Sequence, residues 1–350
     1  MKPLYSFFFV FSALFLITDP AVTRHFGSGA DNRVADPERH EFSSPHMGTL
    51  FRVSLYASNE ELASTAADSA FRRVEVLNEK MSDYLEDSEL NRMAETAGSG
   101  KAVRVSKPLF EVLERAQKVS EQTGGAFDIT AGPLVRIWRS IREKQEPSLP
   151  DTEELQQALE VVGYQYIHLD GERRKVRLDK PGMQLDLGGI AKGYAAGEMK
   201  KVFAHFGLDA VLINAGGDMV AGAAPPDQDG WRIAVTAHDR EGDPAPFVLN
   251  VTHSAVSTSG DLYQYVEIDG ERYSHIVDPR TGYGITEQRT VTVVGDDATL
   301  VDAYSTALSI LPVSEALEII EKMEGYEVYL EVNDNGAVRH FETEGFRKPR

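Results

Sequence analysis

The chain has no cysteine. That excludes disulfides, thiol nucleophiles, thiolate metal sites and a lipid-bearing N-terminal cysteine, so the protein is not expected to be a lipoprotein. Positive charge is also scarce: 36 lysines and arginines stand against 55 aspartates and glutamates, a net charge of −19. No basic patch of the kind that neutralises nucleic-acid phosphates is found, and nucleic acid is not expected as a partner. An acidic protein that handles an anionic ligand needs a divalent cation or well-placed lysines to offset repulsion. The apolar run Leu4–Ile17, behind Lys2, is short for a membrane span and fits the hydrophobic region of an export signal. Asp19-Pro20 follows it without a clean small-x-small site. Residues 1–22 are therefore expected to be either a cleaved signal peptide or an N-terminal membrane anchor.

What the chain does have is 350 residues, 42% of them hydrophobic, enough for a large core. Residues 23–41 are polar and turn-rich and read as a flexible linker. Residues 42–345 read as one folded domain without repeats. Ser58-Asn-Glu-Glu61 has the form of a capping box, and Leu62, Ala66, Ala70, Val74, Leu77 and Met81 follow at helical spacing. Further helices are expected over 106–123, from an Asp151 cap, over 190–206, 300–311 and 314–323. Short strands and hairpins, including the turn Asp269-Gly270, fill the rest. Hairpins with interspersed helices predict an α+β fold with a mainly antiparallel sheet.

Several loops carry candidate chemistry. Asp186-Leu-Gly-Gly-Ile-Ala-Lys192 reads as a strand, a glycine turn and a helix start, a geometry suited to phosphate or to a plain tight turn. Met47-Gly-Thr49 precedes a strand, where a methionine is either core or ligand contact. After the first helix, Tyr84 can stack on an aromatic ring, while Ser88 and Asn91 are helix caps or hydrogen-bond partners. In Thr123-Gly-Gly-Ala-Phe-Asp-Ile-Thr130, Asp128 either binds donors of a ligand or caps a turn. Asn214-Ala-Gly-Gly-Asp218 repeats the glycine pair, and Asp218 is either a ligand group or an Asx-turn residue. Ser254–Asp261 is rich in hydroxyls, and the segment Tyr273–Gly282 groups His275, Asp278 and Arg280. Asp302 and Thr306 stand at i and i+4 of an expected helix, a carboxylate and a hydroxyl suited to a hard cation such as Mg2+. Back-bonding of the threonine is the other reading.

Taken in order, MGT at Met47, MSDYLEDSELN at Met81, TGGAFDIT at Thr123, DLGGIAKGYA at Asp186, NAGGD at Asn214, STSGD at Ser257, YSHIVDPRTG at Tyr273 and DAYSTAL at Asp302 resemble the ApbE-type FAD:protein FMN transferases. The resemblance runs from Met47 to about Leu311. It implies a single T-fold-like (ApbE-like) α+β domain and a Mg2+-dependent enzyme facing the periplasm, exported or anchored to the inner membrane. Such an enzyme cleaves FAD, its substrate, and attaches FMN through a phosphoester to a Ser/Thr of an acceptor flavoprotein of a membrane redox complex, releasing AMP. The family's flavin contacts fall on Met47, Tyr84, Ala126, Phe127, Asp128, Asp186, Lys192, His275 and Ile276. Its metal ligands fall on the Gly189 carbonyl, Asp302 and Thr306. Lys192, Asp302 and His275 are the expected catalytic groups, His275 as the one that assists the hydroxyl. The same residues would serve an FAD pyrophosphatase, and a non-catalytic flavin-binding module is a further alternative. The chain departs from many relatives at Gly284, where they have proline, at Tyr304, often leucine, and at Gly197, often an acid.

Overall fold

The computed structural model describes residues 36–239, 242–260, 264–334 and 337–348. The expected signal or anchor and most of the expected linker lie outside them, as do Asp261 and the turn residues at 335–336. The chain begins with strands β1 (Glu38–His46) and β2 (Thr49–Ala57), helices α1 (Glu60–Met81) and α2 (Glu89–Ala94), strand β3 (Val103–Arg104) and helices α3 (Lys107–Gln122), α4 (Gly132–Arg142) and α5 (Thr152–Glu160). Strands β4 (Ile167–Asp170) and β5 (Lys175–Leu178) lead to helix α6 (Ala191–His205). Then come β6 (Val211–Ala215), β7 (Asp218–Ala221), β8 (Trp231–Val235), β9 (Phe247–Val251), β10 (Ala255–Gly260), β11 (Tyr265–Ile268), β12 (Glu271–Ser274) and β13 (Gln288–Gly295). Helices α7 (Ala298–Leu308) and α8 (Val313–Glu321) and strands β14 (Glu327–Asp334) and β15 (Ala337–Glu342) complete it.

Eight strands form the central sheet in the order β1-β2-β6-β7-β10-β13-β14-β15, and every neighbouring pair is antiparallel. The expected α+β class is thus borne out. Strand alternation decides which residues meet the helices. On β10, Ala255 joins the core on the helix side, while Val256 joins a second core beneath the β8–β9 hairpin. Helix α6 packs on α1, α7, β6 and β7, and α7 packs on β10 and β13. A third cluster ties α4 and α5 to the β11–β12 hairpin through Trp138, Leu155, Val266 and Ile268.

The structure differs from the sequence reading in several places. Residues 183–187, expected as a strand entering the glycine turn, form no strand, and the hydroxyl-rich stretch read among the loops is strand β10. Strand β1 starts at Glu38, inside the expected linker. Its polar residues pair with β2 at the edge of the sheet, where one face stays wet. Asn59, not Ser58, caps α1, accepting from the Leu62 N–H at 2.9 Å; the two residue types cap about equally well, so neighbours are hard to separate. Met47 precedes β2 as expected, but in a two-residue turn from β1, with φ of 48° followed by 72° at Gly48. Helix α4, absent from the sequence reading, begins at Gly132-Pro133 and buries Leu134, Ile137, Trp138 and Ile141.

Candidate active site at the junction of helices α6 and α7

Four glycine-bearing turns meet in two pairs around helix α6. The turn between residues 186 and 190 leads into α6, and the Asp186 N–H donates to the Ile129 carbonyl at 2.8 Å, joining it to the 123–130 turn. A Cβ on Gly189 would lie 3.0 Å from Thr306 Oγ1 and 3.3 Å from the Phe127 ring. The β6–β7 turn meets the β1–β2 turn, since a Cβ on Gly216 would lie 2.4 Å from Thr49 Oγ1. Helices α6 and α7 approach so closely that a Cβ at Gly193 would fall 2.2 Å from the Ala298 carbonyl oxygen. Glycine at 193 is therefore what lets Lys192 and Asp302 face one another.

Lys192 is the hub. Its ammonium is 3.0 Å from Asp218 Oδ2, 3.4 Å from Asp302 Oδ1 and 3.0 Å from the Gly188 carbonyl. Asp302 is 2% exposed, and its other oxygen accepts from the Gly193 N–H at 2.9 Å. Burial raises the Asp302 pKa to about 7, with the Asp218 charge adding to the rise and Lys192 opposing it. Burial works against the Lys192 ammonium, but Asp218 and Asp302 outweigh it and lift its pKa. One ammonium thus serves two buried carboxylates. Asp218 is not the Asx-turn residue: Asn214 accepts from the Gly217 N–H at 2.9 Å instead. Thr306 does not back-bond to its helix; its hydroxyl lies 3.4 Å from Ser259 Oγ.

A second patch surrounds Asp186. Its carboxylate accepts from the Gly188 N–H at 2.7 Å and lies 3.6 Å from Arg139. Burial, then the charge of Asp83, raises its pKa. Arg139 also binds Asp83 at 3.0 Å and lies 4.0 Å from the centre of the Tyr84 ring, which is 71% exposed. Arg139 is thus the link between Tyr84 and Asp186. Sequence reasoning missed it with helix α4; the apolar spacing behind Pro133 was the available signal.

Ala126 and Phe127 are buried beside this turn. Asp128 caps the turn that follows it, accepting from the Thr130 N–H at 2.8 Å, from the Thr130 hydroxyl at 2.7 Å and from the Tyr164 N–H at 2.7 Å. Ser88 caps α2 through the Asn91 N–H at 3.0 Å. His275 and Ile276 lie just beyond β12, in a segment anchored to α4 by the Trp138 indole, which donates to the Gly282 carbonyl at 2.8 Å. Ile276 is buried, and His275 Nδ1 is 3.1 Å from the Gln264 carbonyl. Among the described residues no hydrogen bond joins His275 to Lys192, Asp302 or Thr306.

The fold and these converging turns define an α+β domain with an acidic, lysine-tempered centre between two helices and a sheet. The chain belongs to the ApbE family, which it matches over residues 47–330. It is 30% identical over 305 residues to the FAD:protein FMN transferase of Haemophilus influenzae, spanning 85% of this chain and 87% of that protein. It is 30% identical over 314 residues to the FAD:protein FMN transferase of Treponema pallidum, across 85% of each. The solved structure of the flavin transferase ApbE from Vibrio cholerae superposes with a TM-score of 0.81 at 26% identity, covering 90% of this chain and 100% of that one.

Proposed function

We propose that this chain is a Mg2+-dependent FAD:protein FMN transferase. It cleaves FAD and attaches FMN through a phosphoester to a serine or threonine of an acceptor flavoprotein, with release of AMP. The names of its relatives support the reaction. The observation that carries the metal reading is the meeting of Asp302, Thr306 and the Gly189 turn beside a site with two buried carboxylates and one ammonium.

The residues fit a hard cation. In a continuing helix the Gly193 N–H would bond the Gly189 carbonyl; here it donates to Asp302 and leaves that carbonyl without a backbone donor among the described residues. Carbonyl, carboxylate and hydroxyl oxygens are the donors Mg2+ prefers, and it commonly completes its shell with water and substrate phosphate. Among the described residues no group of three or more His, Cys, Asp and Glu side chains gathers for a metal, so the site depends on these mixed oxygen donors. Asp302, Thr306 and the Gly189 carbonyl would hold Mg2+, which would supply charge neutralisation at a pyrophosphate.

Lys192 adds positive charge beside the same oxygens and offsets the charge of the departing AMP. Met47, Tyr84, Ala126, Phe127, Asp128, Asp186 and Ile276 hold the flavin nucleotide, with Tyr84 offering an exposed ring for stacking. The acceptor hydroxyl oxygen bonds to the phosphorus on the FMN side as the bond from that phosphorus to the AMP oxygen breaks. His275 takes the hydroxyl proton. Positioning and charge neutralisation do most of the work in such transfers.

The Leu4–Ile17 run supports export, with the domain on the periplasmic side, either free or anchored, and an acceptor in a membrane redox complex. Among the described residues no helix is long and apolar enough to cross a membrane.

Incubation with FAD, Mg2+ and a candidate acceptor should give covalent flavin on the acceptor and AMP in solution. FMN and AMP formed at the same rate without acceptor would reassign the enzyme to FAD hydrolysis. Asp302→Ala should abolish transfer; full flavinylation by that variant at limiting Mg2+ would sink the metal reading.

A further inference from the structure

Strand alternation turns both Ser257 and Ser259 of β10 toward α7, on the same face as Ala255. There they meet Ser305, one residue before Thr306. Ser257 is 2% exposed, Ser305 0% and Asp218 6%. The oxygens form a continuous series. Ser257 Oγ donates to Asp218 Oδ1, Ser257 and Ser305 are 3.0 Å apart, Ser305 and Ser259 2.8 Å, and Ser259 and Thr306 3.4 Å. Ser305 is also 2.8 Å from the Asp302 carbonyl.

Each hydroxyl has one proton, and a carboxylate has none to give. Those two facts set the direction of the whole series. Asp218 pairs with the Lys192 ammonium at 3.0 Å, and Ser257 donates to it. With that proton committed, Ser257 accepts from Ser305. The Ser305 proton is shared between Ser257 and the Asp302 carbonyl, both of which only accept, so Ser259 must donate to Ser305. Ser259 then accepts from Thr306. The proton of Thr306 is therefore drawn toward β10, and its lone pairs are left for other partners, with Gly189 close enough that a Cβ there would lie 3.0 Å from the same oxygen. A hydroxyl that ligates a hard cation has to present a lone pair to it.

We propose that Asp218, Ser257, Ser305 and Ser259 are positioning residues: a one-way hydrogen-bond series that orients the Thr306 hydroxyl for cation binding. This rests on the metal reading of the site given above. It assigns a task to the hydroxyl-rich Ser257–Ser259 strand and to Ser305 that packing does not require, since buried hydroxyls are costly unless bonded and alanine would fill similar space.

The test uses the full chain and Mn2+, which stands in for Mg2+ and is counted by the loss of its free electron paramagnetic resonance signal. Ser259→Ala and Ser305→Ala should each weaken Mn2+ binding by roughly 10- to 100-fold, the range found when a partner of a metal ligand is removed. Ser259→Thr, which keeps the hydroxyl, should restore it, and melting temperatures report that the variants are folded. Unchanged Mn2+ affinity in both folded alanine variants, with binding lost in Asp302→Asn, overturns the positioning series and leaves the metal site standing. Equal weakening in Ser259→Ala and folded Ser259→Thr also overturns it, because packing rather than the hydroxyl would then be at work. Undiminished Mn2+ binding in Asp302→Asn overturns the metal site itself, and the series with it.

Discussion

At Lys192 a single side chain balances two carboxylates, and its removal exposes how much the site depends on that balance. Lys192→Met leaves Asp218 and Asp302 facing each other without a cation. Breaking a buried pair from one side costs about 3–5 kcal/mol, and the 27% exposure of the Lys192 side chain argues for a smaller loss, about 2 kcal/mol. The expected outcome is a clearly lower melting temperature in metal-free buffer, together with a loss of FMN transfer of at least about 100-fold, the scale of one lost charge-stabilising donor. A melting curve matching the parent protein would contradict the charge balance described here. Gly284 makes a second residue-scale case. A Cβ at Gly284 would lie 2.4 Å from the Ser274 carbonyl oxygen. Gly284→Pro should therefore destabilise the domain by about 1–3 kcal/mol, as overpacking does. Urea melts compare the two directly, and a stabilised variant would show that this segment does not pack as found.

At the scale of elements, the site is held by the contact of α6 with its neighbours. Glu198 of α6 binds Arg73 of α1, whose Nε is 3.1 Å away, and Lys201 at 2.7 Å. Burial works against the Glu198 carboxylate, but Lys201 and Arg73 outweigh it and hold its pKa below the ordinary glutamate value. Because the folded-state pKa is depressed, the stabilisation is fully present above the unfolded value of about 4.3 and is lost as pH falls through the lower folded value. Glu198→Gln should lower stability by about 1 kcal/mol at pH 7. The gap to the parent should close in melts taken well below pH 4. A gap that persists unchanged in acid would assign the effect to packing instead. The hairpin β11–β12 illustrates the opposite kind of support: its apolar residues dock on α4 and α5, and this docking places His275.

For the whole molecule, β1 enters the sheet at Glu38, and among the described residues the cores are built beyond it. The reading of residues 1–22 as a signal or anchor and of the following stretch as a linker predicts that a chain lacking residues 1–35 melts within about 2 °C of the full chain, the size of shift that about 1 kcal/mol makes in a large domain. The shortened chain should also transfer FMN to a soluble acceptor at an equal rate. Unfolding or inactivity of the shortened protein would contradict this placement of the domain boundary. The sequence by itself determined a good deal. Periodicity located α1, α3, α5, α6, α7 and α8, Asp269-Gly270 placed a hairpin, and the ordered motifs pointed to the family, because these signals are local in the chain. Asp302 and Thr306 were legible as a pair because helical spacing fixes i and i+4 on one face. Tertiary structure decided the rest. Asp218 and Lys192 are brought together by α6 crossing β7, the Arg139 bridge by the docking of α4, and Ser257, Ser259 and Ser305 by the packing of α7 on β10. Each is a contact between segments distant in the chain, and no local propensity encodes which oxygen a buried proton will meet.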